Sequence, residues 1–139
     1  MSQHSFREAV VTALRSDAQL VSLLGGSAGR IVDGAPAHIR MPYVALSRIE
    51  TESLTGHAQE GERLRFTINI YSRELTRTEA ASIADRIKAF LTTGPLTTDS
   101  GARCLIFGIG EAIAVLRDRR TWRAELTGRA IVEPEDPQN

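Results

Sequence analysis

Three histidines, one cysteine and sixteen arginines are the side chains with most chemistry to offer in this 139-residue chain. His4, His38 and His57 stand in the N-terminal stretch and in loops. No pair of them has the i, i+4 or cysteine-paired spacing that closes around a metal ion. Cys104 lies in an apolar run with Leu105-Ile106-Phe107, where a thiol behaves as a small buried hydrophobe rather than a nucleophile. Ser47, Ser53 and Ser72 lack the glycine-framed elbow that raises a serine for acyl transfer. Glu111 and Asp118 flank a hairpin, but two acids become an acid/base pair only across a substrate pocket. Gly25-Gly26 resembles part of a phosphate loop, yet no strand precedes it and no Gly-Lys-Ser/Thr follows. The expectation is no catalytic residue, no metal and no cofactor.

The remaining chemistry is cationic. Arg117, Arg119, Arg120 and Arg123 form a basic cluster, and Lys88 is the sole lysine among seventeen basic residues. Arginine favours protein interfaces, where its planar fork pairs carboxylates at two points; GC-rich codon usage alone would also produce the bias. Formal net charge is zero, so no global field draws the chain to nucleic acid or an anionic membrane. Trp122 between arginines could stack on a base, but its alternation with Ala124 and Leu126 points to a sheet or core anchor. A nucleic-acid module on the Arg117–Arg123 turn would betray itself by steeply salt-dependent binding.

The elements that must position these residues are organised around Glu62–Arg73. Leu64, Phe66, Ile68 and Ile70 alternate there with Arg63, Arg65, Thr67, Asn69 and Tyr71, the period of a strand with one face in the core. Burying those four side chains stabilises by roughly 1.5–3 kcal/mol each before entropy is subtracted. Before it, Ser5 and Glu8 have capping-box spacing and predict a helix start, with a stripe of Phe6, Ala9, Val10, Ala13 and Leu14. Ser16-Asp17 either continues or restarts that helix through Leu20, Leu23 and Leu24, and Gly25-Gly26 ends it. Arg30–Asp33 and Tyr43–Glu50 read as strands, and the polar segment 52–61 as a mobile loop or an extended hairpin tip.

After the central strand, Thr76 and Glu79 repeat the capping-box spacing, and Ala80, Ile83, Ala84, Ile87, Phe90 and Leu91 make one helical stripe. Ala102–Phe107 reads as a strand, Gly108 and Gly110 as a bulge or bend before Glu111–Leu116, Asp118-Arg119-Arg120 as a turn and Thr121–Val132 as the last strand. This order predicts one α+β domain over residues 1–133, a mostly antiparallel sheet with helices packed on one face. Residues 134–139 are expected to be a disordered tail. With no disulfide pair, no signal-like N-terminus and no apolar run of 18 residues, a soluble intracellular protein is expected.

These ordered features resemble the small tail-completion proteins, or tail terminators, of long-tailed phages and gene transfer agents. The resemblance is carried by Leu23-Leu24-Gly25-Gly26, Arg30–Asp33 with Pro36, Pro42–Leu46, the Arg63–Arg73 strand and the Glu79–Leu91 helix. It continues through Val115–Asp118 and Thr121–Ala124 to Val132-Glu133-Pro134. It implies a non-enzymatic structural protein of the particle, assembled in the bacterial cytoplasm and located at the tail neck. There it would form a hexameric ring that ends the tail tube and joins it to the head connector, with DNA passing through the lumen. The implied partners are other copies of the chain, the tail tube protein and the connector or stopper protein. The expected interface comprises Glu52, Leu54, Thr55, His57, Arg63, Arg65, Arg119, Arg120, Arg123 and Arg129. Arg63, Arg65, Arg123 and Arg129 are expected to meet Glu50, Glu52, Glu62 and Glu125 of the next subunit. The alternative is a small-molecule-binding or enzymatic domain with a pocket between the 79–91 helix and the sheet.

Overall fold

The computed structural model describes residues 2–34, 38–52 and 62–133. Two helices, α1 (Ser2–Arg15) and α2 (Ala18–Leu23), lead through a 3₁₀ turn at Ala28–Arg30 into β1 (Ile31–Asp33) and β2 (Tyr43–Glu52). β3 (Glu62–Ser72), α3 (Thr78–Leu91), β4 (Leu96–Thr97), β5 (Arg103–Val115) and β6 (Trp122–Val132) follow. The six strands form one sheet in the order β1-β2-β3-β6-β5-β4, antiparallel throughout except for the β1–β2 pair. The expected α+β architecture is therefore present, with one parallel pair at the edge. Helix α1 touches β1 and β2 near one edge and β4 at the other. The sheet thus curls around the helical layer and leaves its outer face bare.

β3 occupies the position its alternation demands. Leu64, Phe66, Ile68 and Ile70 are all fully buried, while Arg63 and Arg65 are exposed. The strand pairs along its whole length with β6 on one side and with most of β2 on the other. The Phe66 ring packs against Phe6 of α1 at 5.7 Å between centroids. It also lies over Gly128 of β6: a Cβ built there would stand 2.6 Å from Phe66 Cζ and 3.0 Å from Ile109 Cγ1. Only glycine lets the strand pass that close beneath the ring.

Both helix starts differ from the capping-box reading. α1 already runs from Ser2, so Ser5 lies inside it; the Gln3 amide donates to Thr51 Oγ1 at 2.7 Å and Phe6 is wholly buried, docking the first turn on β2. Tertiary contact of this kind overrides a weak local cap signal. α3 starts at Thr78 with Arg77 as its N-cap. Glu79, which would have closed the box, instead accepts a hydrogen bond from the buried Ser72 hydroxyl.

The break between α1 and α2 has its own anchor. Asp17 is 7% exposed and accepts two hydrogen bonds from Arg86 of α3, 2.7 Å from Nε and 2.8 Å from Nη2. The Arg86 contact pulls the Asp17 carboxyl below its ordinary pKa, against the upward pull of burial. Gly25-Gly26 closes α2 as expected: at φ +75° Gly25 donates to Ser22 O at 3.3 Å, and Gly26 to Val21 O at 2.9 Å. The α3 stripe packs as predicted, with Ala80, Ile83, Ala84, Ile87 and Leu91 buried and Phe90 partly so. Residues 53–61 and 134–139, expected as mobile loop and disordered tail, lie outside the described residues.

Candidate interface

The outer sheet face gathers part of the expected set. Strand register places Glu52 beside Arg63, and Glu50 beside Arg65, which in turn faces Arg129 of β6. Glu52 reaches past β3 to Arg129, whose Nε is 3.5 Å from Oε1. Arg123 sits on the same face toward its other end, beside Tyr71, which stacks on Tyr43 at 4.8 Å. Arg119 and Arg120 lie beyond it, in the β5–β6 turn. Leu54, Thr55 and His57 lie outside the described residues.

This arrangement changes the charge argument. The Glu52–Arg129 pair forms within one chain, so it is already satisfied before any neighbour arrives. Both side chains are partly exposed, and such a pair contributes little to stability. Arg63, Arg65 and Arg123 have no carboxylate at ion-pair distance among the described residues. They remain available to a partner.

Sequence reasoning missed the apolar side chains beside them. Leu105 and Phe107 of β5 are 36% and 39% exposed, and Leu105 faces the half-buried Ile131 on the outer face. On the inner face of the same strand Cys104 and Ile106 are buried, and burial pushes the Cys104 thiol pKa up, away from nucleophilic use. The outer edge of β5 meets only the two residues of β4, at Cys104 and Arg103. Beyond Leu105 no described strand pairs with it. Arg103 O accepts from Glu133 N at 2.8 Å, and Leu116 N donates to Thr121 O at 2.8 Å. With the bulge between Phe107 and Gly110, this register turns the backbone groups of Glu111, Ile113 and Val115 outward, away from β6. Glu111 is pinned by Lys88 of α3 at 2.7 Å, which raises the Lys88 pKa.

The space between α3 and the sheet, where a pocket was the alternative, is filled by the fully buried side chains of both elements. A shallow groove lies instead between α2 and α3, lined by Ala18, Gln19, Ser22, Leu23 and Arg86. Among the described residues no three His, Cys, Asp or Glu side chains converge as a metal site would require. No described helix is long and apolar enough to cross a membrane.

A chain from the virion of a native gene transfer agent particle superposes with a TM-score of 0.78 at 21% identity, covering 95% of this chain and 97% of that one. The bacteriophage SPP1 gp17 protein superposes with a TM-score of 0.57 at 20% identity, covering 97% and 94% respectively. These show the shared fold. No curated protein matches at the sequence level. The sequence profile described as Tail completion protein gp17 matches residues 8–133, nearly the whole described domain. The chain belongs to that tail-completion family.

Proposed function

We propose that this chain is a structural component of a phage or phage-like particle that closes into a ring, a hexamer, at the end of the tail tube and joins it to the head connector. Family membership supports the tail role. The observation that carries the ring is the open edge of β5. From Cys104 to Val115 this strand holds a single charged residue, Glu111, and no proline. Natural edge strands are blunted by lysine, proline or short length, because unpaired backbone groups recruit another chain. β1, at the opposite edge, is so blunted: it has three residues, and Arg15 Nε donates to its Ile31 carbonyl at 2.9 Å. With β1 blunted, the β5 edge of one subunit is received by a different surface of the next, and such a head-to-tail contact repeated around an axis closes a ring. The tail tube and connector proteins bind the two rims, and DNA passes through the lumen.

The test is reconstitution. Particles assembled without this chain carry unjoined or overlong tails, and added wild-type protein restores joining. The variant Ala112→Lys with Val115→Pro alters exposed edge positions only, so it folds but fails to restore joining. Normal tail length and attachment without the chain would refute the assignment.

A further inference from the structure

Leu75 is 98% exposed, the most open large apolar side chain among the described residues, and it stands among arginines. It lies in the link from β3 to α3, residues 73–77. Register aligns Ser72, Trp122 and Val115 across three strands, so that link and the β5–β6 turn at residues 116–121 emerge at the same end of the sheet. Arg73 ties the two together: Nε donates to Thr121 Oγ1 at 3.3 Å, and Nη2 is 3.9 Å from Asp118 Oδ2.

The turn is locked from inside. Asp118 Oδ1 accepts from the Arg120 and Thr121 N–H groups at 2.9 Å each, and Oδ2 accepts from the Thr121 hydroxyl at 2.6 Å. Arg119 takes φ +59° and donates its N–H to Leu116 O at 2.9 Å. The Asp118 charge is directed into the loop, and these hydrogen bonds, the Thr121 hydroxyl foremost, hold its pKa at about 2. Arg77, Arg117, Arg119 and Arg120 are exposed with no described carboxylate in ion-pair range. A rigid loop that displays unpaired guanidinium groups loses little conformational freedom on binding.

We propose that this rim, Leu75 with Arg73, Arg77, Arg117, Arg119 and Arg120, docks on a partner protein that presents carboxylates around an apolar pocket. Guanidinium forks match carboxylates, and an exposed leucine gains from docking only where a dry pocket receives it. A DNA backbone offers no such pocket, and Glu74 beside Leu75 would repel its phosphates. The direction in which the rim faces rests on the ring reading: if subunits join through the β5 edge, strand ends point along the ring axis, toward the tail or the head.

The test compares wild type with the triple variant Leu75→Ser, Arg119→Ala, Arg120→Ala. Each protein is sedimented with tails, and separately with heads, purified from assemblies made without this chain. The expected result is a loss of about tenfold or more in binding to one of the two, with unchanged thermal midpoint and self-association. Equal binding by both proteins overturns the rim while leaving the ring reading in place. Lost self-association in the variant assigns the rim to a second copy and also overturns it. Salt-sensitive binding of wild type to a short DNA duplex, absent in the variant, overturns it in favour of phosphate. Failure of wild type to bind either tails or heads takes down rim and ring reading together.

Discussion

β3 and β5 are similar in length, 11 and 13 residues, and opposite in fate. β3 carries three charges, at Glu62, Arg63 and Arg65, whereas β5 carries two, at Arg103 and Glu111. Composition alone would bury β5 more deeply. Yet both strands bury inward residues, Leu64, Phe66, Ile68 and Ile70 of β3 and Cys104 and Ile106 of β5. The outer face that β3 fills with Arg63 and Arg65 carries Leu105 and Phe107 on β5, each more than a third exposed. Position decides the matter. α3 packs over both strands, but β3 has a strand on each side, whereas β5 has β6 on one side and two residues of β4 on the other. Apolar content records that a strand is meant to be covered, and an open edge records that its own chain does not cover it.

The largest expected effect lies on β3. Phe66→Ala removes the ring that joins α1 to the sheet and should cost about 3–5 kcal/mol in a denaturant melt. A cost below about 1 kcal/mol would mean that the core is centred elsewhere. Gly128→Ala should follow, at about 1–3 kcal/mol, because the added methyl meets the same ring. Combining it with Phe66→Leu should cost less than the sum of the two, since a smaller side chain vacates the contested space. Strict additivity would disprove the contact.

A smaller effect appears with acid. The folded Asp17 pKa is depressed, chiefly by Arg86, so its contribution is fully present above the ordinary carboxylate pKa and fades as pH falls through the lower folded value. Stability should therefore drop below about pH 4, and Asp17→Asn should flatten that part of the profile. An identical acid profile in Asp17→Asn would show that the α2–α3 anchor is not coupled to folding.

What the sequence disclosed follows the range of each interaction. Period-two alternation exposed β3, and three-four spacing exposed the α3 stripe, because both are written in neighbouring residues. The cap signal at Ser5 misplaced the start of α1, because the remote Gln3–Thr51 contact docks an earlier turn. At Thr76 the hydroxyl does accept from Thr78 N at 3.4 Å, and only Glu79 is redirected, to Ser72. The residues of β2, β3 and β6 expected at an interface were legible as outward-facing positions. That Glu52 pairs with Arg129 of its own chain was not, because strand order between distant segments sets it. Leu75 gave no signal at all: a leucine in a polar link looks the same whether it folds inward or stands 98% exposed.

The smallest expected effect is the sharpest test of the contrast. Leu105 and Phe107 alternate with Cys104 and Ile106, so the two faces of one strand can be probed by neighbouring substitutions. Leu105→Ser and Phe107→Ser should each cost under about 1 kcal/mol, because their surfaces remain partly in water in the single chain. Ile106→Ser, one position away and 8% exposed, should cost more than either, since it places a hydroxyl among the core side chains. The outer-face variants should also be more soluble, as light scattering at rising concentration would register, because they remove exposed apolar surface. On the proposed ring reading they should also weaken assembly on the particle. If Leu105→Ser destabilised the isolated chain as much as Ile106→Ser, the outer face of β5 would already be covered within one subunit and would not be a surface left for a neighbour.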